Sequence, residues 1–120
     1  MTIVALVDDL MFLSRIREAA AALGADVKAV RSRETLLDAC RAAPQLVLAD
    51  LDSPRLGAAD AIRALRADPA GVDLMVVGFF SHVHADRAEL AQAAGASRVL
   101  PRSAFVRELR ALVTAALGSE

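Results

Sequence analysis

Five short apolar runs punctuate the chain, at residues 3–7, 27–30, 46–49, 74–77 and 99–100. They are rich in Val, Ile and Leu, and their continuity predicts strands buried on both faces. Between them the apolar positions step by three and four. Leu13, Ile16, Ala20 and Leu23 predict a first helix, with Gly24 where a C-terminal cap belongs. Leu36, Leu37 and Cys40 predict a second, with Ser32 as N-cap and Pro44 beyond its end. Ile62 and Leu65 mark a third, which stops before Asp68-Pro69 because a residue preceding proline is pushed out of the helical region. A fourth is expected from near Asp86 to Gly95. The fifth opens at Ser103 and carries Phe105, Leu109, Leu112 and Ala116 on one face.

Strand and helix thus alternate five times, without an internal repeat or a linker. That pattern implies an α/β domain with a parallel sheet covered on both faces. A barrel needs about 250 residues, so 120 residues suit a single flavodoxin-like, doubly wound (βα)5 sandwich spanning 1–120, with strand order 2-1-3-4-5. Ligands of open sheets sit beyond the carboxyl ends of the strands. Chemistry is therefore expected at Asp8-Asp9 and at residues 50–54, 78–84 and 101–103.

Composition narrows the function classes. Apolar residues at 56% and charged residues at 24% fit an ordered globular chain. A net charge of −1 with the two signs interspersed offers no electrostatic case for nucleic acid or a membrane surface. No apolar run approaches the ~20 residues of a membrane span, and "MTIVALVDD" lacks the basic flank of a secretory signal. Cys40 is the one cysteine, so no internal disulfide can form, and a reduced, cytoplasmic setting is expected. Every basic residue except Lys28 is arginine.

The stretch "VLADLDSP" ends an apolar run in Asp50 and Asp52. With strand order 2-1-3-4-5, Asp8 and Asp9 end the strand beside it. Two such charges about 4 Å apart repel by roughly 4 kcal/mol at an effective dielectric of 20, and a divalent cation or a proton would relieve the repulsion. A D-x-D after a strand also opens the site of haloacid-dehalogenase-type phosphatases. Those need a downstream basic residue and a second acidic pair. Arg102 can stand in for the first, but no acidic pair follows residue 50.

Over nearly its whole length the chain resembles the receiver domains of bacterial response regulators. "IVALVDDLMFLSRIREAAAALG" is similar to the family's first strand, acidic pair and first helix, "APQLVLADLDSPRLG" to its phosphoacceptor strand and loop, and "AAGASRVLPR" to the turn and strand that carry its lysine. The resemblance implies a stand-alone receiver in a phosphorelay, a phosphoacceptor rather than an enzyme acting on other substrates. Asp50 would accept the phosphoryl group. Asp9 would bind Mg2+ directly, Asp8 partly through water, Asp50 through a carboxylate oxygen and Asp52 through its backbone carbonyl, with the Asp52 side chain pointing outward. A sensor histidine kinase or phosphotransfer protein would act upstream and an unknown protein downstream, with no nucleic acid and no membrane.

The departures lie on the readout side. Arg102 stands at the lysine position and Ser103 follows it in place of proline. The hydroxyl position falls on Phe80, or on Ser81 if shifted by one; the aromatic switch position falls on Val99; and the loop before Gly57 is one residue short. Any response to phosphorylation is expected within residues 78–84. A pseudo-receiver, an interaction module regulated without phosphate, is the competing reading. The spacing of His82, His84 and Asp86 matches some zinc hydrolases, but a solvated loop with Asp86 as N-cap is the simpler expectation, with His82 lying near Asp50.

Overall fold

Each apolar run overlaps a strand, and each stretch of three-and-four spacing lies in a helix. The computed structural model describes residues 1–118. In chain order these are β1 (Thr2–Leu6), α1 (Leu10–Ala22), β2 (Asp26–Val30), α2 (Arg33–Cys40), β3 (Leu46–Asp50), α3 (Ala58–Ala67), β4 (Val76–Phe80), α4 (Ala85–Ala94), β5 (Arg98–Pro101) and α5 (Arg102–Gly118). Short 3-10 turns lie at Pro54–Leu56 and His82–His84. All five strands are parallel, in the order β2-β1-β3-β4-β5. The doubly wound α/β expectation is met.

Local chemistry sets the helix ends. Ser32 caps α2 in a reciprocal box with Thr35. Gly24 follows α1 at φ +76°, and Gly95 follows α4 at φ +113°, conformations that cost glycine little. α3 ends at Ala67, before Asp68-Pro69. Two boundaries differ from expectation. α5 opens at Arg102 rather than Ser103. α4 opens at Ala85 after His84, with no side chain capping it, so Asp86 lies inside the first turn rather than at the N-cap.

Side chains alternate across the strands, which splits the core in two. Ile3, Ala5, Leu48, Val77 and Phe79 pack under α1 and α5 against Ile16, Phe105 and Val113. Val4, Leu6, Val47, Ala49 and Val76 pack under α2, α3 and α4 against Leu36, Ile62 and Leu65. β3 is buried throughout, whereas the edge strands β2 and β5 have exposed positions. β4 starts two residues later than its apolar run and ends three residues beyond it, at Phe80, because pairing with β3 in the register Asp50↔Phe79 carries it to the level of Asp50.

Cys40 is wholly buried in the α2 face of the core. Burial, helped by the charge of Asp68, pushes its thiol up to about 11. At pH 8 the folded protein should therefore not react with a thiol-directed disulfide reagent, while the denatured chain should react fully. Fast reaction of the native protein would mean that α2 opens locally.

Candidate functional site

β3 delivers Asp50 to the carboxyl edge of the sheet with its side chain inward, leaving the residue 2% exposed. Both of its oxygens are engaged. Oδ1 accepts the Asp52 amide at 2.9 Å, and Oδ2 accepts Nη2 of Arg102 at 2.9 Å. Arg102 comes from the junction of β5 and α5. Its Nε donates to Oδ2 of Asp52 at 2.7 Å, so one guanidinium bridges two carboxylates. Beneath it lie aromatic faces, with Cζ 4.5 Å from the Phe12 ring centroid and 5.2 Å from that of Phe79. Phe12, Phe79 and Phe105 pack on one another with centroids 4.4–5.6 Å apart. Carboxylates on one side and rings on the other hold the guanidinium in place.

The side chain of Asp52, expected to point outward, turns into this site. Its Oδ1 accepts the Ser81 amide at 2.9 Å and lies 2.8 Å from Nδ1 of His84. An ionised carboxylate only accepts, so that contact places a proton on Nδ1. The Asp52 carbonyl accepts a hydrogen bond from Nη1 of Arg87, one turn into α4. Ser81 is thus at the site through its amide, while its hydroxyl lies 3.3 Å from His84 Nδ1 and makes no bond to Asp50. His82, the histidine expected near Asp50, is exposed and presents its ring edge-on to Phe80. His84 takes the inner position instead.

Burial raises the pKa of Asp50, against the opposing Asp52 amide and Arg102. Burial would raise Asp52 too, but the Ser81 amide and the Arg102 and His84 hydrogen bonds outweigh it and hold its carboxyl low. Arg102 shows the converse. Burial would lower it, and its hydrogen bond to Asp52 with the charges of both carboxylates raises it instead. Pairing thus outweighs burial at Asp52 and Arg102, while at Asp50 burial prevails.

The acidic pair is spent elsewhere. Asp9 is the N-cap of α1, accepting the Met11 and Phe12 amides at 3.0 and 3.1 Å. Asp8 accepts the Ser53 hydroxyl at 3.1 Å and lines a surface cavity with Arg31 and Arg55. Among the described residues no three His, Cys, Asp or Glu side chains assemble a set that could hold a metal ion. Asp8, Asp9 and Asp50 therefore do not converge as expected, and His82, His84 and Asp86 form no zinc set. Every group expected to bind Mg2+ already has an internal donor, so in this arrangement the residues do not fit the ion.

No family model matches the sequence, and no curated protein does. Solved structures match nearly all of it. A response regulator from Hahella chejuensis superposes with a TM-score of 0.83 at 21% identity, covering 98% of this chain and 96% of that one. The receiver domain of a Pseudomonas aeruginosa sensor histidine kinase, determined with magnesium coordinated in its active-site cleft, gives 0.82 at 20% identity, with 98% of each chain covered. A cyanobacterial phytochrome response regulator in its phosphorylated form gives 0.80 at 17% identity, with 99% and 95% covered. This chain has the receiver fold.

Within that receiver fold, sequence reasoning found Asp50 and Arg102 and missed four contributors. His84 is the last residue of the segment 78–84 in which chemistry is expected and Arg87 follows it, but nothing local marks either as a partner of Asp52. Phe12 and Phe79 carried a weak signal, being half of the four phenylalanines in a chain without Tyr or Trp.

Proposed function

We propose that this chain is a receiver-fold signalling protein that accepts a phosphoryl group on Asp50 and passes the resulting state to a partner protein. The observation that carries the reading is the pairing of a strand-end carboxylate with a fixed cation, Arg102 Nη2 on Asp50 Oδ2 at 2.9 Å. A phosphoryl group on that oxygen would lie beside the guanidinium, and positioned charge is most of what phosphoryl transfer asks of a protein. A sensor histidine kinase or phosphotransfer protein would supply the group, in the cytoplasm. Among the described residues no helix is long and apolar enough to cross a membrane. The resemblance would add Mg2+ at Asp8, Asp9, Asp50 and the Asp52 carbonyl. Those groups are already engaged by Ser53, the α1 amides, Arg102 and Arg87.

The pseudo-receiver is favoured by one observation, the 2% exposure of Asp50 with both oxygens bonded. Incubation with acetyl phosphate, followed by intact-mass measurement, separates the two. One phosphate should be added, Asp50→Asn should eliminate it, and Asp52→Asn should retain it. No uptake from small donors or from any kinase would leave the interaction module as the function.

A further inference from the structure

We propose that Arg102 and Arg87 provide the positive charge of this site, so that Asp50 accepts its phosphoryl group without a divalent cation. The inference rests on the phosphoacceptor reading above and changes what that reaction requires.

Charge at the end of β3 is balanced by the protein itself. The two carboxylates at the end of β3, Asp50 and Asp52, are matched by Arg102 between them and by Arg87 on the Asp52 carbonyl. A cation entering here would meet two guanidinium groups rather than a bare acidic cluster. The cation is also held in place. Arg102 is gripped by both carboxylates and rests on Phe12 and Phe79, and its side chain is only 29% exposed. A guanidinium offers five donors in a planar fork and sheds water more easily than an ammonium, which suits it to a partly buried anionic site. Mg2+ is the opposite case, wanting near-octahedral oxygen ligands and holding its waters. Asp9 is committed to the α1 amides and Asp8 to Ser53, close to Arg31 and Arg55. One oxygen of each carboxylate is thus taken by a donor of the protein itself, which a metal ion would have to share or displace.

The transfer balances without the metal. An oxygen of Asp50 attacks the phosphorus of an acyl phosphate. The new O–P bond forms as the bond from phosphorus to the acyl oxygen breaks, and the electron pair leaves on the donor's carboxylate. No proton need move. Charge on the equatorial phosphoryl oxygens is met by Arg102, which shifts only from the Asp50 oxygen to the phosphoryl oxygens now attached to it.

The test uses the whole chain after chelator treatment. Thermal melts with and without millimolar MgCl2, at matched ionic strength, should coincide for the wild type, because a ligand that does not bind the native state cannot stabilise it. Mn2+ should not selectively broaden the amides of residues 8–9 and 50–53. The double variant Arg87→Ala, Arg102→Ala should gain a magnesium-dependent rise in melting temperature. If it does not fold, Arg87→Ala alone, which frees the Asp52 carbonyl, should gain a smaller one. Labelling by acetyl phosphate should proceed at the same rate in chelator as in magnesium. A wild-type melting temperature that climbs with magnesium, together with selective broadening by Mn2+, overturns the proposal. So does labelling that slows by about tenfold or more when the metal is removed. If no phosphate is taken up under either condition, the acceptor reading falls, and the melting and broadening measurements still decide the metal question.

Discussion

Arg66→Ala is expected to lower the unfolding free energy by about 3–4 kcal/mol, the largest single-residue loss outside the apolar core. Arg66, on the last turn of α3, donates from Nε to the Gly95 carbonyl at 2.8 Å. Its Nη1 donates to the carbonyls of Gly71 at 2.9 Å and Leu74 at 2.6 Å, and its Nη2 to Ser97 Oγ at 3.1 Å. Ser97 Oγ in turn accepts the Val76 amide that starts β4. One guanidinium thus satisfies carbonyls from the α3–β4 loop and the α4 terminus at once. Each buried acceptor left without a donor costs about 1–3 kcal/mol, reduced here where water can reach the exposed rim at Ser97. The melting temperature should fall by about 10–20 °C, read by circular dichroism. Arg66→Lys should recover less than half, since an ammonium cannot span these acceptors. A loss under about 1 kcal/mol would show that the loop finds other donors.

The second large effect is expected at the site itself. Arg102→Ala removes the partner of a carboxylate that is 2% exposed, and breaking a buried pair from one side costs about 3–5 kcal/mol. Arg102 is partly exposed and Asp52 keeps its bonds to Ser81 and His84, so about 2–4 kcal/mol is expected here. The charge argument has a signature that packing does not share. Adding Asp50→Asn to Arg102→Ala removes the stranded charge, and the double variant should regain at least half of the loss. Denaturant unfolding of the four proteins gives the interaction energy between the two positions. Simple additivity would mean that Arg102 stabilises through its contact with Phe12 and Phe79 rather than through Asp50.

Much of the fold was legible because its signals are local. Ser32 with Thr35, Gly24 and Gly95, and proline after Asp68 each act within a few residues, and each ends its helix where the pattern placed it. Five strand–helix units then leave few ways to arrange a parallel sheet. The position of Asp50 at a strand end followed from the same periodicity.

Which partners those side chains take was not legible. The resemblance and the neighbouring strand ends make Asp9 a metal ligand, whereas in the folded chain its Oδ1 caps the free amides of α1. The resemblance gives Asp52 a role through its carbonyl, with the side chain outward. It turns inward because Ser81 and His84, 29 and 32 positions later, present donors to it. Arg102 reaches Asp50 across 52 positions and Asp52 across 50. By itself the sequence determined the order of elements and the placing of Asp50 at the sheet edge, since periodicity and capping are properties of neighbouring residues. Only the tertiary structure decided that Arg102 meets the carboxylates of Asp50 and Asp52 and that Arg87 meets the Asp52 carbonyl, because the strand order sets which distant groups come together.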